Sequence, residues 1–260
     1  MKRLETDLHL HLDGSLSIET VKLLAAQVGY DFEGLGGRKS LVAGENCESL
    51  VDYLKCFDLP GMLLQTEEAL ELASHHLTKE LASQGLILSE IRFAPQLHTG
   101  KGLTKEKALE AVIRGVRKGT EKSHMHAGIL LCAMVNGPDR ENEETFELAQ
   151  AYLGKGVVGV DLAGPEGMIP MEHFEPLFKE AGRRDIPFTI HAGECGDYEN
   201  ITKAVHYGAK RIGHGCAAIK SEACMDLLKK GKDYLRDVCD QQPSDKSRSF
   251  HRGASVKGLL

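Results

Sequence analysis

The sequence predicts an α/β chain of the (β/α)8 TIM-type barrel family, with about six β/α units legible in it. Three observations predict this. β-like runs alternate with amphipathic helical ones along the chain, and that alternation produces a parallel sheet. Several runs end in a glycine-containing turn with His, Asp or Glu beside it, as barrel strands do at the mouth where function sits. The G-x-G-x-x-G turn that opens a doubly wound nucleotide-binding sheet is missing.

The first run, Asp7–Leu12, sets Leu8, Leu10 and Leu12 against His9 and His11. Side chains alternate along a strand, so the two imidazoles share one face. Ser17, followed by Glu19 and Thr20, opens the first helix. The stretch Gly34-Leu35-Gly36-Gly37-Arg38-Lys39-Ser40 has a distant likeness to a phosphate loop, lacks the Gly directly before the Lys, and reads as an ordinary flexible loop. Glu67–Ser83, rich in Leu, Ala and Glu, is helical. Its His75-His76 pair points in diverging directions and reads as structural. Leu86–Phe93 is the second strand. Thr104 caps the helix Lys105–Lys118, in which Ala108, Ala111, Val112 and Gly115 recur at helical spacing. His124-Met125-His126 repeats the H-x-H pattern at the entry to the strand Gly128–Val135, where it reads as surface.

Three further strands close in polar turns. Val157–Leu162 runs into Ala163-Gly164-Pro165-Glu166. Phe188–His191 runs into Ala192-Gly193-Glu194, where Gly193 lets the backbone turn so that Glu194 joins His191 on one side. Arg211–Gly215 holds His214 between two glycines. Met225–Lys230 is helical, and the chain from Gly231 onward is polar and without strand pattern, Asp233, Asp237, Asp240 and Asp245 included.

Composition narrows the function classes. The 260 residues are 42% hydrophobic and 5% aromatic, enough for a packed core and unlike a disordered or low-complexity chain. With 32 Lys+Arg against 38 Asp+Glu the formal charge is -6, leaving no basic stripe to neutralise phosphates. Nucleic acid and membrane surfaces are therefore not expected partners; a small molecule is. The seven cysteines, Cys47, Cys56, Cys132, Cys195, Cys216, Cys224 and Cys239, form no C-x-x-C pair, which predicts a reduced, cytoplasmic compartment. No apolar run long enough for a signal peptide or membrane span is present, and neither is expected.

His9, His11, His191, Glu194 and His214 all fall at predicted strand ends, which predicts a histidine-rich pocket. Imidazole suits zinc, and a catalytic zinc site keeps a position open for water. A carboxyl beside a cation and an apolar wall is a tunable general acid or base.

Taken together, His9-Leu10-His11-Leu12-Asp13-Gly14-Ser15, Ser89-Glu90-Ile91-Arg92-Phe93-Ala94-Pro95, Asp161-Leu162-Ala163-Gly164, His191-Ala192-Gly193-Glu194 and Gly213-His214-Gly215 resemble the adenosine deaminase family, zinc-dependent members of the amidohydrolase superfamily. The resemblance implies hydrolytic deamination of adenosine and 2′-deoxyadenosine with release of ammonia, a purine-salvage reaction, and one Zn2+ per chain. By resemblance, His9, His11 and His191 are zinc ligands, with His11 also facing substrate. Glu194 is the proton donor to purine N1 and His214 the group that orients the attacking water. Asp13 binds the ribose 5′-hydroxyl and Gly164 offers its backbone to the purine; Leu54, Phe57, Leu59 and Met62, placed by helical spacing more than by motif, form either an apolar cover or part of the core. The chemistry is coherent, because C6 of adenine is a poor electrophile. Zinc makes water a nucleophile near neutral pH, and protonation at N1 makes C6 attackable. The other zinc deaminase design, H-x-E with P-C-x-x-C, is absent. Asp13 favours a nucleoside over adenine, since the adenine deaminase branch generally shows Glu there, and an N6-methyl-AMP deaminase would need a phosphate-binding group.

Family members continue through a C-P-T-S-N-like strand end and an N-T-D-D-P-like one, and the chain shows neither. A reading from another class follows: a non-catalytic fragment that binds zinc weakly through three histidines. The expected organisation is an incomplete barrel domain over 1–230 and an aberrant tail over 231–260, out of frame from about Gly231. Shifting the frame by one base permits an apolar strand running into a C-V-T-S-N-like ending. Restoring one base in the encoding DNA is expected to extend the open frame to an N-T-D-D-P-like motif; a frame that stops short of it overturns the idea.

Overall fold

A computed structural model describes residues 5–44, 47 and 49–230, with the backbone of 235–237. The described chain forms two compact units that part between Ile129 and Leu130.

In the first unit, β1 (Glu5–His11) is followed by α1 (Ile18–Gln27), α2 (Leu50–Leu54), α3 (Asp58–Leu63), α4 (Glu67–Gln84), β2 (Leu86–Phe93) and α5 (Lys105–Thr120). The caps foreseen from sequence are present. Ser17 Oγ accepts from Thr20 N, and Thr104 Oγ1 from Lys107 N, each satisfying an otherwise orphaned helix amide. Thr66 caps α4 in the same way, through Ala69 N.

α4 and α5 pack tightly because α5 presents glycine at the contact. A Cβ at Gly115 would stand 2.0 Å from Ser74 Oγ, and one at Gly119 2.7 Å from the His75 carbonyl. Gly115, which the periodicity places on an apolar face, is thus a close-approach point. Arg114 binds Glu67 and Glu71 beside the contact, at 2.9 and 2.8 Å. His76 Nδ1 lies 3.2 Å from Thr20 Oγ1, joining α4 to α1.

β1 and β2 pair in parallel, with a register shift between Asp7 and Leu10. Asp7–Leu10 on β1 faces Ser89–Ile91 on β2, one residue more on β1, which is a bulge. Asp7 Oδ1 accepts from His9 N at 3.0 Å, and the wholly buried Arg92 donates to the Leu8 carbonyl.

β3 (His126–Met134) runs across the boundary. The second unit continues with α6 (Asp139–Tyr152), β4 (Val157–Ala163), α7 (Glu175–Arg183), β5 (Thr189–Ala192), α8 (Tyr198–Tyr207), β6 (Arg211–His214), α9 (Glu222–Lys230) and β7 (Leu235–Asp237). Val135 N, just past β3, donates to Ala163 O at the end of β4. Val160 of β4 bridges Phe188 in parallel, and β5, β6 and β7 pair in parallel in that order. Within each unit, strands lie beside the next one in the chain, as they do in a (β/α) barrel. Gly159 is required for this packing, since a Cβ there would stand 2.4 Å from the Pro187 carbonyl.

Two expectations need correction. β7 makes a seventh strand inside the segment read as lacking strand character. Its backbone pairs Leu235–Asp237 with Arg211–Gly213, and a ladder uses main-chain N–H and C=O groups whatever the side-chain pattern. The rest of the expected tail lies outside the described residues. Gly37–Ser40, within the stretch read as a flexible loop, forms a 3₁₀ turn closed by Ser40 Oγ on the Gly37 carbonyl at 2.7 Å. No described helix is long and apolar enough to cross a membrane.

Candidate active site

The first unit supplies one group of predicted residues. His9 and His11 stand two apart on β1, and their ring centroids are 5.6 Å apart, so the bulge leaves the two imidazoles neighbours. Phe57 packs its ring edge-on against His11 at 6.0 Å. It also fixes the turn after β1, because a Cβ at Gly14 would stand 2.6 Å from the Phe57 ring. Asp13 opens onto a cavity of about 110 Å³ lined by Phe57, Arg38, Leu41, Cys56 and Pro60 among others. Burial raises the Asp13 carboxyl to about 6, against the lowering effect of the backbone amides of Asp13 and Gly14.

Of the four residues assigned to an apolar cover, Phe57 alone lines this cavity. Leu59 is buried in the core, Met62 is 42% exposed and Leu54 is half-buried, so helical spacing did not separate cover from core. Arg38 lines the cavity from the stretch read as an ordinary loop, and Leu41 lines it from just past that stretch.

The second unit supplies the other group. His191 is the penultimate residue of β5 and is 7% exposed. Its Nδ1 lies 2.9 Å from Oδ2 of the fully buried Asp161 on β4. Asp161 Oδ1 is held by Leu162 N at 2.8 Å, so the carboxylate is anchored and the imidazole aimed by it. His214 ends β6 in the left-handed region, with φ 65°. A non-glycine residue held there is an outlier of a kind that gathers at functional sites. Its ring lies 5.0 Å from that of His191.

Gly193, with φ 75°, turns the chain after His191, and its missing side chain makes room for Ile201, whose Cδ1 a Cβ would meet at 2.5 Å. The turn brings Glu194 Oε2 to 3.5 Å from His214 Nε2. Burial raises the Glu194 pKa above the ordinary carboxyl value; His191 opposes this and Glu166 adds to it. Cys195, next in line, has its thiol pushed up to about 11 by burial and by Glu166 and Glu194, which makes it a poor thiolate. Gly164 (φ 107°) lines a cavity of about 10 Å³ with His191, Glu166, Leu162 and Asn200, room for about one water.

His124 and His126 are exposed, as expected of a surface pair. The residues that reading the sequence missed act through others: Asp7 and Arg92 at the bulge carrying His9, Asp161 behind His191, and Glu166. Asp161 had a signal, since an acid inside an otherwise apolar strand calls for a partner. Glu166 had its place in the polar turn that closes a strand, and Asp7 had none.

The adenosine deaminase family pattern matches residues 5–242 of the chain. An adenosine deaminase of Haemophilus ducreyi is 45% identical over 232 residues, which cover 85% of this chain and 67% of that protein. An N6-mAMP deaminase of Arabidopsis superimposes with a TM-score of 0.78 at 24% identity, covering 91% of this chain and 72% of the other. An amidohydrolase from Burkholderia ambifaria with bound Zn superimposes with a TM-score of 0.79 at 20% identity, covering 90% and 65%.

Proposed function

Since this chain belongs to the adenosine deaminase family, a family of hydrolases acting on the C–N bond of a cyclic amidine, we propose that it uses zinc, held by His9, His11 and His191, to deaminate adenosine. The observation that carries the reading is the turn at Gly193, which sets the Glu194 carboxyl 3.5 Å from His214 beside the Asp161-anchored His191. Adenosine goes to inosine and ammonia, and 2′-deoxyadenosine follows the same route.

The donor groups fit the ion. His9 and His11 are adjacent imidazoles, and with Nδ1 of His191 facing Asp161, its Nε2 is the nitrogen offered to a metal. A zinc ion supplies Lewis acidity that makes water a usable nucleophile near neutral pH. The protein groups supply the rest. Glu194, its pKa raised by burial, holds the proton for purine N1. His214 orients the attacking water on the correct face of the ring, Asp13 receives the ribose 5′-hydroxyl, and Gly164 presents its backbone to the base.

The partner is a purine nucleoside, with no nucleic acid or membrane, and the compartment is the cytoplasm. The seven scattered cysteines, with no C-x-x-C pair among them, support the last point. Purified chain given one equivalent of zinc is expected to consume adenosine, read as falling ultraviolet absorbance, in preference to adenine and N6-methyl-AMP. Zinc-loaded, folded chain that leaves adenosine unchanged would overturn the reading and favour the non-catalytic fragment.

A further inference from the structure

We propose that Glu166 is the positioning residue that sets Glu194, by clamping the two backbone amides on either side of it. The inference rests on Glu194 being the acid. Glu166 lies in the turn after β4, three residues past its end, yet its carboxylate reaches across to the turn after β5. Oε1 accepts from Gly193 N at 2.7 Å and Oε2 from Cys195 N at 2.8 Å. Oε1 also accepts from Asn200 Nδ2 at 3.0 Å, in the first turn of α8, where Asn200 is 6% exposed. One side chain therefore ties together the ends of β4 and β5 and the start of α8.

The clamp is specific in what it fixes. The residue between the two bonded amides is Glu194, so the carboxylate of Glu166 determines the plane and height of the backbone from which the acid projects. Hydrogen bonds to a charged acceptor are short and stronger than neutral ones. The Gly193 carbonyl accepts from Ala217 N at 2.9 Å, which holds the next peptide group, the one that joins Gly193 to Glu194. His191, by contrast, is oriented by Asp161, whose Oδ2 lies 2.9 Å from its Nδ1. Loss of the clamp should therefore move the proton donor and spare the metal ligand. A misplacement of about 1 Å at a reacting group costs about 10²-fold in rate.

A Gln side chain keeps the size of Glu166 but has one acceptor oxygen, so it cannot receive both amides and sets an NH₂ against one of them. The test uses the zinc-loaded full chain and compares Glu166→Gln, Glu194→Gln and the double variant. Glu166→Gln is expected to lower kcat about 10- to 100-fold, with KM within about twofold and zinc content unchanged. Faster hydrogen exchange is expected at the Gly193 and Cys195 amides. If Glu166 acts through Glu194, the double variant should be no slower than Glu194→Gln alone. A folded Glu166→Gln protein with kcat within about twofold of the parent, or a double variant in which the two losses multiply, overturns the proposal while a crippled Glu194→Gln leaves Glu194 standing as the acid. A mild Glu194→Gln overturns both.

Discussion

Glu194→Gln is expected to keep bound metal and nucleoside while losing about 10²- to 10⁴-fold in kcat, the range that general acid catalysis contributes. The amide is isosteric with the acid, so the turn at Gly193, the clamp from Glu166 and the contact with His214 survive in shape. What it lacks is a proton it can give to purine N1. The native carboxyl is suited to that task by its surroundings. Burial raises its pKa, so it holds its proton at pH values where an ordinary carboxyl has lost it. The measurement is steady-state kinetics on adenosine beside zinc analysis and a binding assay with an unreactive nucleoside. Loss of an interaction made only in the transition state lowers kcat and kcat/KM together. A drop of less than about tenfold would mean that another group protonates the base.

His191→Ala and His9→Ala are each expected to remove the bound metal, read by elemental analysis, and with it all measurable deamination, whereas His124→Ala removes neither. The comparison tests assignment rather than histidine content. His9 and His124 both stand in an H-x-H pattern, but His9 lies beside His11 on β1 with its backbone fixed by Asp7, and His124 is exposed before β3. At His191 the loss would also strand Asp161, a fully buried carboxylate aligned on Nδ1, so the variant should be less stable as well as metal-free. Equal metal loss from His124→Ala would show that the zinc is held elsewhere.

The strands and helices were legible because their physical causes are local. Alternation on β1, the helical run of α4, and Ser17 and Thr104 as caps each depend on residues within a few positions of one another. The proposed site residues were chosen on local grounds too. His9 and His11 alternate on β1, Glu194 and His214 stand next to glycines, and the glycine at 193 announces the turn that carries Glu194 toward His214. β7 was not legible, because pairing along the open edge of β6 asks nothing of the side chains of Leu235–Asp237. The cover residues were missed in part because periodicity reports which side of a helix is apolar and not what that side meets. Phe57 reached the Asp13 cavity while Leu59 went into the core.

Sequence alone determined the strand–helix alternation up to β6, the fold class and the identity of the chemically capable side chains, since these follow from residue type and short-range spacing. Only tertiary structure decided which side chains govern them. The bond from Arg92 to the Leu8 carbonyl at the β1 bulge, the Asp161 carboxylate behind His191, and the reach of Glu166 to the amides of Gly193 and Cys195 join positions far apart in the chain. A hydrogen bond requires about 3 Å between its heavy atoms and sets no limit on sequence separation, so no local pattern records it.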